Sequence, residues 1–392
     1  MGRILRGIAR RFPVVTLTGP RQSGKTTLAR EAFPRHAYVS LESPDDRAFA
    51  TTDPRGFLNR FRRPVILDEA QRVPDLFSYI QTMVDEDGRP GRYILTGSHN
   101  FLLMQSVSQS LAGRSAILHL LPFSLAELHE RPLLSSDTIG LSVRNQRVPK
   151  ERLWDRLFTG FYPRCYDQRT HAPEWLASYY RTYVERDVHQ ILSIGDQETF
   201  GRFVRLCAAR SGQILNLSSL ASDTGITHPT AQRWLSVLEA SFLVMLLRPH
   251  HANYGKRMIK APKLYFLDTG LLCYLLGIRR PEDLEIHSLR GAIFETFVVS
   301  ELHKNYLHRG ESPRLYYWRS SDGHEVDVIV ERGEKLIPIE VKSSQTLATD
   351  SFDGLKYWLK LAGRQAAAPA LVFGGRECYV REGVTVYPWF VL

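Results

Sequence analysis

Gly19-Pro20-Arg21-Gln22-Ser23-Gly24-Lys25-Thr26 constrains the fold more than any other stretch of the chain. A glycine, four residues and then Gly-Lys-Thr is the P-loop pattern. Its glycines let the backbone curl until its N–H groups point inward at phosphate oxygens. Lys25 adds a point charge for the outer phosphates, and the Thr26 hydroxyl suits a Mg²⁺ shell. The flanks agree with this reading. Val14-Val15-Thr16-Leu17-Thr18 is β-branched and predicts a strand, and Thr26-Thr27-Leu28-Ala29-Arg30 predicts a helix start. The pattern therefore implies an α/β fold with a parallel sheet and helices on both faces. Residues Gly19 to Thr27 are expected to line a nucleotide.

Hydrolysis needs an acidic partner. Pro64-Val65-Ile66-Leu67-Asp68-Glu69 is an apolar run ending in two acids. Such a run suits a buried parallel strand, whose carboxyl end is where open α/β sheets bind ligands. Asp68 is expected to hold Mg²⁺ through water and Glu69 to polarise the attacking water. A third strand, Arg92 to Ser98, ends in small polar residues. Thr96 or Ser98 is placed to contact the γ-phosphate or the water, and Ser98 is favoured. Arg114 follows in Ser110-Leu111-Ala112-Gly113-Arg114. Its forked guanidinium suits a transition-state phosphoryl group on a neighbouring subunit, although a solvent-exposed role reads equally well.

The segments GPRQSGKTTL, VILDEAQRVPDLF, YILTGSHNFLLM and SLAGR…LLPFSLAEL resemble a bacterial and archaeal family of AAA+-type ATPases. Members usually carry a C-terminal domain labelled as of unknown function, with nuclease-like sequence character. The resemblance extends over nearly the whole chain. It implies ATP and Mg²⁺ as cofactors and assembly with other copies of the chain.

Composition narrows the partners. Of 392 residues 43% are hydrophobic, enough for real cores, and the net charge is +10. That charge favours an anionic partner, nucleic acid first. Cys165, Cys207, Cys273 and Cys378 form no CxxC pair, which fits reduced thiols of a cytoplasmic protein. No apolar run approaches the ~18 residues of a membrane span.

Four modules are expected. Residues 1–130 form the P-loop ATPase domain, and 131–210 a connector and helical lid. In the lid, Arg186 either reaches the nucleotide or forms a helical ion pair. Residues 211–285 predict a winged helix. Leu217 to Thr224 reads as one short helix, Gly225 as the turn, and Thr227 as the cap of a second helix through Glu239. His228, Gln232 and Arg233 on that second helix are placed to reach DNA. Lys256 and Arg257 lie in a basic loop between two strands, the expected wing. Lids on ATPases use the same fold, so DNA contact is a separate expectation.

Residues 286–392 predict an α/β restriction-endonuclease-like domain. Glu295 sits on a helix near its apolar side. Asp327 and Glu340 alternate with valine and isoleucine on two strands, and Lys342 shares Glu340's face. An Asp, then Glu-x-Lys, with a helical Glu, resembles PD-(D/E)xK nucleases and, locally, archaeal Holliday-junction resolvases. The resemblance implies that Asp327 and Glu340 bind a metal, Glu295 supports the site and Lys342 orients water. The rival reading is a nucleotide-dependent signalling or defence switch that binds protein, with this domain as an inactive scaffold.

Overall fold

The structure, a computed structural model, describes residues 1–98, 107, 110–131, 148–167, 170–188 (backbone alone from 185), 197–250 and 260–392. Two compact units share the chain. One comprises 1–122 with 240–242 and 307–311, the other 123–239, 243–306 and 312–392.

The first unit is a five-stranded sheet. Its strands are β1 (Val14–Thr18), β2 (Ala37–Ser40), β3 (Val65–Asp68), β4 (Tyr93–Gly97) and β5 (Ser115–His119). Their order is β2-β3-β4-β1-β5, and every pairing is parallel. Period-2 alternation divides the strands between two cores. Val14, Leu67 and Leu95 pack with Phe57, Phe77 and Ile80 on one face. Val15, Leu17, Ile66 and Ile94 pack with Leu5, Ala9 and Ala29 on the other. Helices α1 (Gly2–Ala9) and α2 (Lys25–Ala32) cover the second face; α3 (Pro44–Thr52), α4 (Pro54–Asn59) and α5 (Leu76–Glu86) cover the first. Each fully buried Leu, Ile or Phe contributes about 1.5–3 kcal/mol of transfer free energy. Strands buried on both faces therefore read as unbroken apolar runs, as β3 did.

The second unit holds two sheets. After α6 (Leu153–Thr159), α7 (Ala172–Tyr179) and α8 (Gln197–Ala209) come β6 (Gln213–Ile214), α9 (Leu217–Thr224), α10 (His228–Ala240), β7 (Val244–Leu247) and β8 (Lys263–Phe266). The three strands pair antiparallel in the order β6-β8-β7. Gly225 ends α9 in the left-handed region at φ 81°, where a glycine avoids steric cost. On α10 the buried Ala231, Trp234, Leu235 and Leu238 form the core face, and Phe200 and Phe203 meet the Trp234 ring edge-on.

The chain continues through α11 (Thr269–Leu275) and α12 (Arg290–Leu307) into β9 (Leu315–Arg319), β10 (Glu325–Arg332) and β11 (Lys335–Lys342). Then follow α13 (Asp353–Ala362), β12 (Ala370–Phe373), β13 (Tyr379–Arg381) and β14 (Val384–Pro388). The six strands run β13-β14-β12-β11-β10-β9. β9, β10 and β11 are antiparallel neighbours, whereas β12 runs parallel to β11. The β9–β10 register shifts between Val326 and Ile329. Strict alternation fails there: Val326 and Ile329, three apart, share one core with Trp318, Leu355 and Trp358. An irregularity of this kind re-aims the side chains beside it, here Asp327.

Among the described residues no helix is long and apolar enough to cross a membrane, and the four cysteines are free.

Candidate functional site

The loop between β1 and α2 is built for close backbone approach. A Cβ on Gly19 would collide with the Leu120 carbonyl oxygen, so only glycine fits. Gly24 caps α2 in the left-handed region at φ 93°. Lys25, buried, donates to the carbonyl oxygens of Gly19 at 3.0 Å and Pro20 at 2.6 Å. Those partners are dipoles rather than charges. Burial lowers its pKa to about 8, against the opposing charges of Glu69 and Asp68. Among the described residues the buried Ser23 hydroxyl has no hydrogen-bond partner. A buried orphan donor and a lysine bonded to carbonyl dipoles, together in one loop, suit an anionic ligand. Pro20 is buried beside Gly19, Arg21 stands 4.0 Å from Glu42, and Gln22 and Thr27 are exposed on the loop and first turn.

Asp68 and Glu69 sit at the carboxyl end of β3, beside that loop. The Thr26 hydroxyl donates to Asp68 at 3.1 Å, Tyr38 donates to its Oδ2 at 2.9 Å, and Thr96 donates from β4. A hydroxyl beside a carboxylate is a hard-oxygen set that suits Mg²⁺. Glu69 has φ 53°, a left-handed conformation that costs a non-glycine residue about 1–3 kcal/mol. Its Oε2 accepts from Ser98 at 3.1 Å and from Gln71 at 2.5 Å. The structure thus brings Lys25, Thr26, Asp68, Glu69 and Ser98 together. Thr96 goes to Asp68 and Ser98 to Glu69, so the two alternatives at the end of β4 serve different acids. Tyr38 and Gln71 were not expected, because their places depend on β2 lying beside β3 and on the turn after it. Arg114 forms a two-point pair with Asp85 of α5, at 2.6 and 2.9 Å.

The AAA domain model matches residues 11–129. Residues 150–282 and 290–392 match two domains of unknown function, DUF8612 and DUF4143. The uncharacterized protein Rv2008c of Mycobacterium tuberculosis (strain ATCC 25618 / H37Rv) is 35% identical over 347 residues, 87% of this chain and 73% of that protein. The uncharacterized protein Mb2031c of Mycobacterium bovis matches with the same figures. The chain belongs to their family. Its first unit carries an AAA-type P-loop ATPase domain. Among solved structures, the Walker-type ATPase PABY2304 of Pyrococcus abyssi aligns at TM-score 0.41 and 15% identity, over 70% of this chain and 94% of that one. A single-residue variant of RuvB from Thermotoga maritima aligns at TM-score 0.29 and 18% identity, over 63% and 87%. Likenesses of that size carry no argument about function.

The second unit of this family member gathers another charged cluster. Glu295 of α12, Asp327 of β10, and Glu340 and Lys342 of β11 converge, with Val328 opposite Ile339 in the register between those strands. Lys342 Nζ donates to Glu340 Oε1 at 2.7 Å, and Asp327 Oδ2 accepts the Val341 N–H at 2.8 Å. Lys263, the first residue of β8, was not expected in the cluster. Its ammonium lies 2.8 Å from Glu295 Oε1, contacts Glu325 and stands 3.9 Å from Asp327 Oδ1. Tyr265, two residues on and therefore on the same face, donates to Glu295 Oε1 at 2.5 Å. Burial raises the carboxyls of Glu295, to about 7, and of Glu340, in both cases with help from Asp327. Burial also opposes the charge on Lys263, but Tyr265 and the acids around it outweigh that and hold it well above its usual pKa. As they stand, these residues do not fit a metal ion. The acids surround an ammonium, and among the described residues no group of three or more His, Cys, Asp or Glu is arranged to hold one.

On α10, His228, Gln232 and Arg233 are exposed along one side, with Ser236 a turn beyond. Lys256 and Arg257 lie outside the described residues.

Proposed function

We propose that the chain is a Mg²⁺-dependent ATPase that acts on DNA. The observation that carries hydrolysis is the meeting of Lys25, Thr26, Asp68, Glu69 and Ser98 at the carboxyl ends of β1, β3 and β4. Bound Mg²⁺ would neutralise phosphate charge, with Thr26 and Asp68 as the residues that hold it. Lys25 exchanges its carbonyl partners for the outer phosphate oxygens. Ser98 and Gln71 fix the carboxylate of Glu69, which takes the proton of the attacking water. Arg114, once released from Asp85, serves the nucleotide of a neighbouring copy, so activity rises with protein concentration.

The DNA side rests on architecture and charge. One short strand, two helices joined by a tight turn and two further strands in the order β6-β8-β7 suit a winged helix, with His228, Gln232 and Arg233 facing out. The order helix, three antiparallel strands, helix, parallel strand supports a nuclease-like C-terminal fold, in which Glu295, Asp327, Glu340 and Lys342 occupy the expected site but, with Lys263 among the acids, do not fit a metal as they stand. The lysine inside that cluster favours a second reading, a nucleotide switch that uses the domain as a scaffold for protein partners.

The test is the steady-state ATP hydrolysis rate of the full chain alone and with single-stranded, duplex or four-way-junction DNA. The proposal expects Mg²⁺-dependent turnover raised by at least one DNA, with DNA binding that falls steeply with salt. Turnover indifferent to all three, with no salt-dependent mobility shift, would favour the protein-binding switch.

A further inference from the structure

We propose that Lys263 is a resident cation that bars divalent metal ions from the acidic cluster of the C-terminal domain. The inference rests on the nuclease-like reading of Glu295, Asp327 and Glu340, and concerns how that site is controlled.

The lysine is seated by the chain around it. Lys263 pairs through its backbone with Ile214 on one side and Leu247 on the other. Just before it, Ala261 accepts a hydrogen bond from the Tyr317 hydroxyl of β9. The continuation of β7 adds backbone bonds between His250 and Tyr317 and between Tyr317 and Arg248. The three-stranded sheet is thereby stitched to β9, the neighbour of the strand that carries Glu325 and Asp327. Lys263 is 3% exposed, and the Tyr317 ring lies 5.6 Å from its Nζ.

Its position decides what the cluster can accept. Glu295 Oε1 already receives both the ammonium and the Tyr265 hydroxyl. Glu325 is shared between Lys263 and Arg319, the latter at 3.1 Å. Asp327 spends one oxygen on the Val341 N–H. The ammonium stands 2.8 Å from Glu295 Oε1 and 3.9 Å from Asp327 Oδ1, so a divalent ion bonded to either oxygen at about 2.0–2.6 Å lies within a few ångströms of that positive charge. In a buried site the two cations repel strongly, so the seated ammonium disfavours the metal. Among the described residues Glu340 Oε2 is buried with no hydrogen-bond partner, an acceptor open to a cation near Asp327. With the Lys263 charge removed, that oxygen and Asp327 are the acceptors a divalent ion would use.

The experiment measures Mn²⁺ uptake by the nucleotide-free full chain, using electron paramagnetic resonance of the free ion. Wild type is expected to bind none in this cluster. Lys263→Met should gain one Mn²⁺ per chain, bound at least about tenfold more tightly than by wild type, and the added change Asp327→Asn should remove it. Loss of the buried ammonium leaves acids unpaired, so a charge-compensated form, Lys263→Met with Glu325→Gln, guards against misfolding and should gain the same ion. Equal, Asp327-dependent binding by wild type would overturn the barrier while leaving the metal-site reading intact. No binding by the folded double variant would overturn both, and would leave the cluster a purely structural one.

Discussion

Lys25 and Lys263 are both buried beside acids, and their bonding partners differ in kind. Lys25 in the first unit bonds to carbonyl oxygens, and burial brings its pKa down to about 8. Lys263 in the second unit bonds to carboxylates, which hold its charge firmly. A lysine among dipoles is short of negative charge and gains when phosphate arrives. A lysine among acids has its counter-charge already, and anything that removes either partner is costly. The acids follow the same division. Asp68 is surrounded by hydroxyls, whereas Glu295 and Glu325 are taken by ammonium.

The largest expected effect lies in the first unit. Glu69→Gln should lower ATP turnover by roughly 10²–10⁴ while ATP binding persists, because the hydroxyl-lined Asp68 is untouched. Single-turnover hydrolysis with a parallel binding titration checks this, and a wild-type rate would remove Glu69 from the chemistry.

In the second unit, Lys263→Met should cost about 3–5 kcal/mol, the usual penalty for leaving one side of a buried pair. Denaturant unfolding of the full chain reads it. A loss under about 1 kcal/mol would mean that water already screens the cluster.

Next in size is a pH effect. Nucleotide-free Lys25 gives up its proton above about 8, while phosphate oxygens would keep it protonated. Each pH unit above that value should then weaken ATP binding about tenfold, with a proton taken up on binding. By the same linkage the nucleotide-free first unit gains stability as pH rises from about 8 towards the ordinary lysine value of 10.5, because the unfolded chain binds the extra proton there. Calorimetry in buffers of different ionisation enthalpy measures the uptake; none at a pH about half a unit above that value would mean that Lys25 is fully charged before ATP arrives.

The smallest effect concerns Tyr38. Removing its hydroxyl with Tyr38→Phe takes one donor from Asp68, worth about 1.5–3 kcal/mol for a bond to a charged group at most. The Mg²⁺ concentration for half-maximal hydrolysis should shift by a few-fold with ATP affinity in EDTA unchanged. Equal shifts in both would mark Tyr38 as a general structural contact.

The first site was legible in the sequence because its parts are local. A loop that must curl declares itself by Gly19 and Gly24, and a strand buried on both faces declares itself by Val65 to Leu67 with the acids at its end. What escaped is what the sheet assembles. Tyr38 reaches Asp68 because β2 pairs with β3, which no spacing in the sequence states. In the second unit, β8, β10 and β11 were all legible as strands, and Glu295, Asp327, Glu340 and Lys342 do converge. Lys263 is the polar first residue of an otherwise apolar strand, which by itself marks no site. Its acids come from α12 and β10, more than thirty residues away, and only the stitching of two sheets brings them together. Period 2 puts Lys263 and Tyr265 on one face, a relation that gains meaning only with Glu295 bonded to both. The irregularity between Val326 and Ile329 also breaks the simple alternation of Asp327 with its apolar neighbours.

The central claim is that the first site awaits metal-bound nucleotide and the second is already filled by an ammonium. Counting Mn²⁺ ions on the wild-type full chain, with and without a non-hydrolysable ATP analogue, tests it most directly. The account predicts one ion per chain with the analogue, lost in Asp68→Asn, and none without it. An ion bound tightly in the absence of nucleotide and lost in Asp327→Asn would contradict it.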